Sequence, residues 1–146
     1  MKKIIDSKLY LWFTVVSVAL SVILASVSMY SVIFIEKEVK QILAAEPDQS
    51  TSYNEAYIKL RSPQIFAGYE FFDAEDSDIK KILSYFDSKI ASNEVIDIDD
   101  VEYIYVLLDR RMSGSSLGIK TSVFLLIISL FGLLAFLYEK RQCRKF

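Results

Sequence analysis

The stretch LYLWFTVVSVALSVILASVSMYSVIFI, residues 9–35, runs for 27 residues without a charge. As an α-helix it would be about 40 Å long at 1.5 Å per residue. A hydrocarbon core of roughly 30 Å needs only about 20 such residues, so the stretch can cross a bilayer with tilt or protrude at one end. A buried helix of a soluble protein is rarely apolar on all faces over about seven turns. The reading is therefore membrane insertion, with Tyr10 and Trp12 at headgroup depth. A cleaved signal peptide competes, because Met1-Lys2-Lys3 is a basic leader and Ser26-Val27-Ser28 offers small residues for cleavage. The apolar run continues seven residues past Ser28, which a cleaved signal does not require, so an uncleaved anchor is preferred.

A second run, residues 121–138, holds 18 residues without a charge and extends to a span at 119–138. Lys120 lies near its start, where its ammonium can snorkel to the interface. Tyr138 closes it, followed by Glu139, Lys140 and Arg141. The chain thus divides into an N-terminal tail (1–8), a first span (9–35), an intervening domain (36–118), a second span (119–138) and a basic C-terminal tail (139–146).

This division reconciles a composition that is otherwise contradictory. The 146 residues are 53% hydrophobic and yet 25% charged, with a mean hydropathy of +0.31. Residues 1–35 carry Lys2, Lys3 and Lys8 against Asp6, net +2, and residues 119–146 carry five bases against Glu139, net +4. Residues 36–118 hold 17 acids against 9 bases, net −8. The positive-inside rule then puts both termini in the cytoplasm and the acidic domain outside, in the periplasm if the membrane is a bacterial inner membrane. Close to the spans the margin narrows to seven bases inside against five outside, because Lys37, Lys40, Arg110, Arg111 and Lys120 lie on the loop side.

Residues 36–118 include 36 apolar residues, ten of them aromatic, which is globular rather than disordered composition. Val39, Ile42 and Leu43 continue the first helix outward until Pro47 stops it. Residues 48–51 read as loop. Ser52 and Glu55 form a capping box ahead of a helix with Tyr53, Ala56, Tyr57 and Leu60 on one face, ended by Pro63. Residues 64–73 read as extended or irregular, with Gly68 at a bend. Asp76 caps a further helix whose stripe is Ile79, Ile82, Leu83, Phe86 and Ile90, and Asn93 ends it in the left-handed conformation. After a short extended link at 95–98, Asp99 and Glu102 open a last helix with Val101, Ile104, Leu108 and Met112 inward and Ile98 stapled onto Tyr103. Residues 113–118, Ser-Gly-Ser-Ser-Leu-Gly, read as a break and a hinge before the second span. The fold class is mainly α: two transmembrane helices flanking a small, mostly helical extracytoplasmic domain.

The chain contains no histidine and one cysteine, Cys143. That removes His-based acid/base catalysis, a Ser-His-Asp triad, His-ligated metal and an intramolecular disulfide. The acids Asp73, Glu75, Asp76 and Asp78 invite a calcium reading. Counted from Asp73, however, the EF-hand position that needs glycine is Asp78 and the one that needs glutamate is Ser84. Acids there, like Asp97, Asp99, Asp100 and Glu102, are better explained as helix N-terminal residues meeting the dipole. No pair of carboxylates is singled out for glycoside hydrolysis, and there is no phosphate loop or nucleophile elbow. Ser115 and Ser116 fit a flexible link better than a Ser/Lys dyad. No enzyme, cofactor, metal or nucleic-acid role is expected. Cys143 lies in a basic juxtamembrane segment, a palmitoylation context in a eukaryote and an idle thiol in a bacterium.

Two further signals bear on function. Ser17, Ser21, Ala25 and Ser28 fall near one face of the first span, and Ser129, Gly132 and Ala135 make a shorter stripe in the second. Small residues at this spacing allow close helix approach, within the chain or between chains, although they are common in membrane helices anyway. The aromatic-rich outside domain suits protein recognition, with Tyr69, Phe71 and Phe72 as the anchors in its least regular segment. The leading expectation is a non-enzymatic membrane accessory or regulatory protein that binds a membrane or periplasmic protein, or a second copy of itself, through that domain. A second class is protection, against a membrane-active toxin or a superinfecting phage. A third is ligand sensing through the loop. The layout is similar to the input half of bacterial membrane sensors, but only eight residues follow Tyr138, so a sensor would need a partner for output. A two-helix channel is disfavoured, because neither span has an interior ionisable residue.

Overall fold

The computed structural model describes the backbone of residues 2–45, 52–62 and 77–143 and the side chains of residues 8–45, 53–62 and 77–142. Among the described residues every regular element is helical and no strand occurs. Helix α1 (Lys2–Tyr30) passes into a π-helical turn (Ser31–Glu36) and on into α2 (Lys37–Ala44). Then come α3 (Ser52–Arg61), α4 (Asp78–Ala91), a 3₁₀ turn (Ile98–Asp100) and α5 (Val101–Cys143). Two helical stretches, Lys8–Ala44 and Ile98–Gln142, are long and apolar enough to cross a membrane. The chain forms two compact units, Met1–Ser28 with Leu117–Phe146, and Met29–Ser116.

The first unit is an antiparallel helix pair with its polarity reversed relative to a soluble protein. Trp12 is 68% exposed and Phe131 66%, whereas Ser21 is 1% exposed. Ser17 and Ser28 on α1, and Ser122 and Ser129 on α5, are buried as well. The Ser21 hydroxyl lies 2.9 Å from the Ser122 carbonyl, and the Ser122 hydroxyl 3.0 Å from the Ser21 carbonyl. Small side chains let the two backbones come close enough for this exchange. Gly118 and Gly132 extend the same logic: a Cβ on Gly118 would meet Ser28 Oγ at 2.1 Å, and one on Gly132 would meet Thr14 Oγ1 at 2.6 Å.

The second unit is a helical core of Ile35, Val39, Ala56, Tyr57, Leu60, Leu83, Phe86, Ile96, Ile104, Leu107 and Leu108. Its stripes follow the 3.6-residue period: Leu83 and Phe86 on α4, Ile104, Leu107 and Leu108 on α5, with Ile79, Ile82, Ile90 and Met112 packed around them. Phe86 is the hub, its ring 5.0 Å from that of Tyr57 and 6.4 Å from that of Tyr103. Tyr57 keeps its buried hydroxyl satisfied by donating toward Asp87 at 2.5 Å and the Leu83 carbonyl at 3.2 Å. Asn93, at φ 54°, ends α4 in the left-handed conformation, as its position in the sequence implies. The Asn54 side chain holds the link that follows, accepting from Ile96 N at 2.8 Å and donating to the Glu94 carbonyl at 3.1 Å.

Three local expectations are corrected. The expected hinge at 113–118 is absent, for α5 runs unbroken through Gly114 and Gly118. Two helical glycines cost about 1 kcal/mol each, less than breaking the ladder and leaving buried backbone groups unpaired. Gly118 provides close approach to Ser28 rather than flexibility. The cap of α4 is Ser77, extended at φ −65° and ψ 147°, whose hydroxyl accepts from Lys80 N at 3.3 Å. At the start of α5 a 3₁₀ turn replaces the expected capping box, and Ile98, 59% exposed, is not buried as a staple would be. The extended or irregular reading of residues 64–73 lies outside the described residues, as do the loop at 48–51 and the acids Asp73, Glu75 and Asp76.

Candidate functional site

Two features of the second unit stand apart from ordinary packing: an exposed aromatic face and a buried arginine. The aromatic face arises because α4 and α5 spend only part of their aromatics on the core. Phe86 points inward and is fully buried, while Tyr85, one residue earlier on α4, is turned outward. On α5 Tyr103, Tyr105 and Val106 fall off the inward stripe of Ile104, Leu107 and Leu108 and are exposed. Tyr85, Tyr103, Val106 and Ile82 line an open groove of about 700 Å³, with Asp78, Lys81 and Asp100 at its edges.

One ion cluster fixes the edge of this groove. Lys89 Nζ lies 2.6 Å from Asp100 Oδ2, 3.7 Å from Asp97 Oδ2 and 5.0 Å from the centre of the Tyr85 ring. The Tyr85 hydroxyl also donates to Asp100, at 3.1 Å. The hydrogen bond to Asp100, and next that to Tyr85, hold the Lys89 ammonium well above its ordinary pKa. α4 is thereby tied to the 3₁₀ turn, and Tyr85 is held in place without being buried. Across the unit Lys59 pairs with Glu38, and that hydrogen bond likewise raises the lysine's pKa. Arg61 pairs with Asp87 at 3.1 Å.

The buried arginine is Arg111, only 3% exposed. Its Nε donates to Ser31 Oγ at 2.8 Å and its Nη1 to the Leu60 carbonyl at 2.6 Å. Ser31 passes the chain of hydrogen bonds on, donating to Glu36 Oε1 at 3.2 Å, with Glu36 itself buried. The π-helical turn makes that contact possible. At 100° per residue, Ser31 and Glu36 would stand about 140° apart around an α-helix; the i→i+5 closure of a π turn brings them to one side. A buried guanidinium is tolerable only when its donors are used, and its planar fork serves a hydroxyl and a carbonyl at once.

The small-residue positions read from the sequence are distributed as follows. Ser17, Ser21, Ser28, Ser129 and Gly132 are buried, and Ala25 is partly exposed. Ser21 is brought to Ser122, Ser28 to Gly118, and Gly132 to Thr14. A helix-pair seam of 3.5-residue period passes through 17, 21, 24 and 28, so Ala25 falls one residue beyond it. Ser122 and Gly118 were not foreseen, although Ser115, Ser122 and Ser129 repeat at seven residues. Tyr69, Phe71 and Phe72 lie outside the described residues. Tyr85, Tyr103 and Tyr105 could have been found by asking which aromatics of α4 and α5 miss the apolar stripe. Arg111 could have been found by the converse question, since it lies on the stripe with Ile104, Leu107 and Leu108.

Among the described residues no three acidic or cysteine side chains converge where a metal ion could be held. No protein-family model, curated protein or solved structure matches the chain.

Proposed function

We propose that the chain is a two-pass membrane protein with both termini in the cytoplasm and an acidic helical domain outside, and that this domain binds another protein in a non-enzymatic accessory or regulatory role. The membrane part of the reading is carried by one observation. The first unit buries the hydroxyls of Ser17, Ser21, Ser28, Ser122 and Ser129 and displays its largest apolar side chains, Trp12, Phe13, Phe124, Phe131 and Leu134 among them. In water that surface would be an aggregation liability; in hydrocarbon it is the lowest-energy arrangement. The orientation rests on the charge division, net +2 and +4 at the ends against net −8 over residues 36–118. A bacterial inner membrane, with the domain in the periplasm, is the setting that fits it.

The partner-binding part is supported by Tyr85, Tyr103 and Val106, which stay exposed beside Asp78 and Asp100 although the core has aromatic hubs of its own. Tyrosine at the centre of a patch with a charged rim is the composition of recognition surfaces. The test is a photo-crosslinking amino acid placed at Tyr103 in intact cells, with Ile58, equally exposed elsewhere on the unit, as the control position. A discrete adduct from position 103, lost on Tyr85→Ala, is expected. Equal labelling from both positions would count against a specific face. Alkaline phosphatase fused after Phe146 should be inactive; activity would reverse the topology.

A further inference from the structure

We propose that the helix pair carries a site for one anionic phospholipid, its acyl chain in the groove between α1 and α5 and its phosphate at Arg141. This inference rests on the membrane reading above. Trp12, Phe13 and Val16 from α1 and Phe131, Gly132 and Ala135 from α5 line an apolar groove of about 720 Å³. Gly132 lines the groove where the two helices touch: its backbone lies so close to α1 that a Cβ there would meet Thr14 Oγ1 at 2.6 Å and the Phe13 ring at 3.3 Å. The Thr14 hydroxyl beside Gly132 is satisfied within its own helix, donating to the Tyr10 carbonyl at 2.9 Å.

Ala135 belongs to a second hollow as well, of about 510 Å³, whose other walls include Leu134, Leu137, Tyr138 and Arg141. Ala135 thus lines both hollows, and from one to the other the lining changes from aromatic walls to a phenol and a guanidinium. That sequence of surfaces matches a phospholipid from tail to headgroup. At the polar end Gln142 donates to the Tyr138 hydroxyl at 2.8 Å, Lys140 lies 5.7 Å over the Phe136 ring, and Arg141 lines the hollow itself. The charge is complementary to phosphate, with Glu139 the one acid among residues 119–146.

Trp12 is the chain's only tryptophan and lines the groove, so its fluorescence reports on the occupant. The full chain is reconstituted into phosphatidylcholine vesicles containing a small fraction of either phosphatidylglycerol or phosphatidylcholine with brominated, quenching acyl chains. Quenching by the brominated anionic lipid should be stronger, as from about a fivefold preference, the effect of one cation near an anionic headgroup. Arg141→Gln should abolish the preference, and Lys140→Gln, the same charge change one residue away, should preserve it. Ala135→Leu, which adds bulk at the residue lining both hollows with charge intact, should also lower it. Equal quenching by the two lipids, or equal effects of the Arg141 and Lys140 variants, would overturn the site while leaving the membrane reading standing. No quenching by either lipid, with the chain failing to float with the vesicles, would overturn that reading and the site with it.

Discussion

Ser21 and Ser122, 101 residues apart in the chain, are bonded to each other reciprocally: each hydroxyl reaches the other residue's carbonyl, and the two oxygens lie 3.0 Å apart. Interhelical polar contacts of this kind are worth about 0.6 kcal/mol in membrane proteins, with a maximum near 1.7. Ser21→Ala and Ser122→Ala each remove one hydroxyl-to-carbonyl bond and leave the other in place, so each should lose stability in that range, read by unfolding in detergent or bilayer, and the double variant should lose about the sum. No loss in either variant would mean that the pair is only adjacent.

The two glycines of the expected hinge should respond in opposite directions. A Cβ on Gly114 would meet nothing within 4 Å, so Gly114→Ala should stabilise by about 1 kcal/mol from helix propensity alone. Gly118→Ala gains the same propensity but drives a methyl group into Ser28 Oγ, 2.1 Å away. A net loss is expected there, of about 1–3 kcal/mol, as for overpacked sites. Thermal unfolding of the two variants side by side checks the contrast.

Arg111 should be the most sensitive charged position in the second unit. Arg111→Leu leaves Glu36 and the Leu60 carbonyl buried without the guanidinium, at a cost of about 3–5 kcal/mol. Arg111→Lys should recover little, since one ammonium cannot reproduce the fork that meets Ser31 and Leu60. Adding Glu36→Gln to Arg111→Leu should restore part of the loss by removing the stranded charge. Denaturant unfolding of the single and double variants measures all three.

The Lys89 cluster sets a pH dependence. Because the hydrogen bond to Asp100 raises the folded-state pKa above the ordinary 10.5, the ammonium form is favoured by folding. Its stabilising contribution is complete below about 10.5, the unfolded value, and disappears as pH rises through the folded value. Wild type and Asp100→Asn should therefore differ in stability by a constant amount from neutral pH to about pH 9, and converge only in stronger alkali. Lysine side-chain titration by NMR should show the Lys89 value falling toward 10.5 in Asp100→Asn.

The legible parts of the fold were those written in one helix at a time. The stripes through Phe86 and Ile104, and the left-handed stop at Asn93, follow from period and local propensity. The choice of Ser77 over Asp76 as the α4 cap turns on one extended backbone conformation, and the two adjacent residues are equally good caps in sequence. The π-helical turn has no residue signature at all; it is visible only through the meeting of Ser31 and Glu36. Ser122 was hard to read for a different reason: the seven-residue repeat through Ser115, Ser122 and Ser129 marks a helix face, but no local pattern encodes the register that pairs it with Ser21, 101 residues away. Arg111 was hidden by expectation, since arginine near an apolar run is read first as a topology determinant.

The serine seam also bears on how the chain is made. At about 5–20 residues per second, a ribosome needs on the order of 5–20 s to pass from Ser21 to Ser122. Through that interval the first span would stand in lipid with Ser17, Ser21 and Ser28 facing no partner. A helical hydroxyl has a temporary recourse, which Ser26 and Thr14 display: each donates to the carbonyl four residues back, at 2.8 and 2.9 Å. Ser21 can wait in the same way and exchange its own helix's carbonyl for that of Ser122 when the second span arrives, so that the hairpin closes by trading hydrogen bonds rather than by creating them.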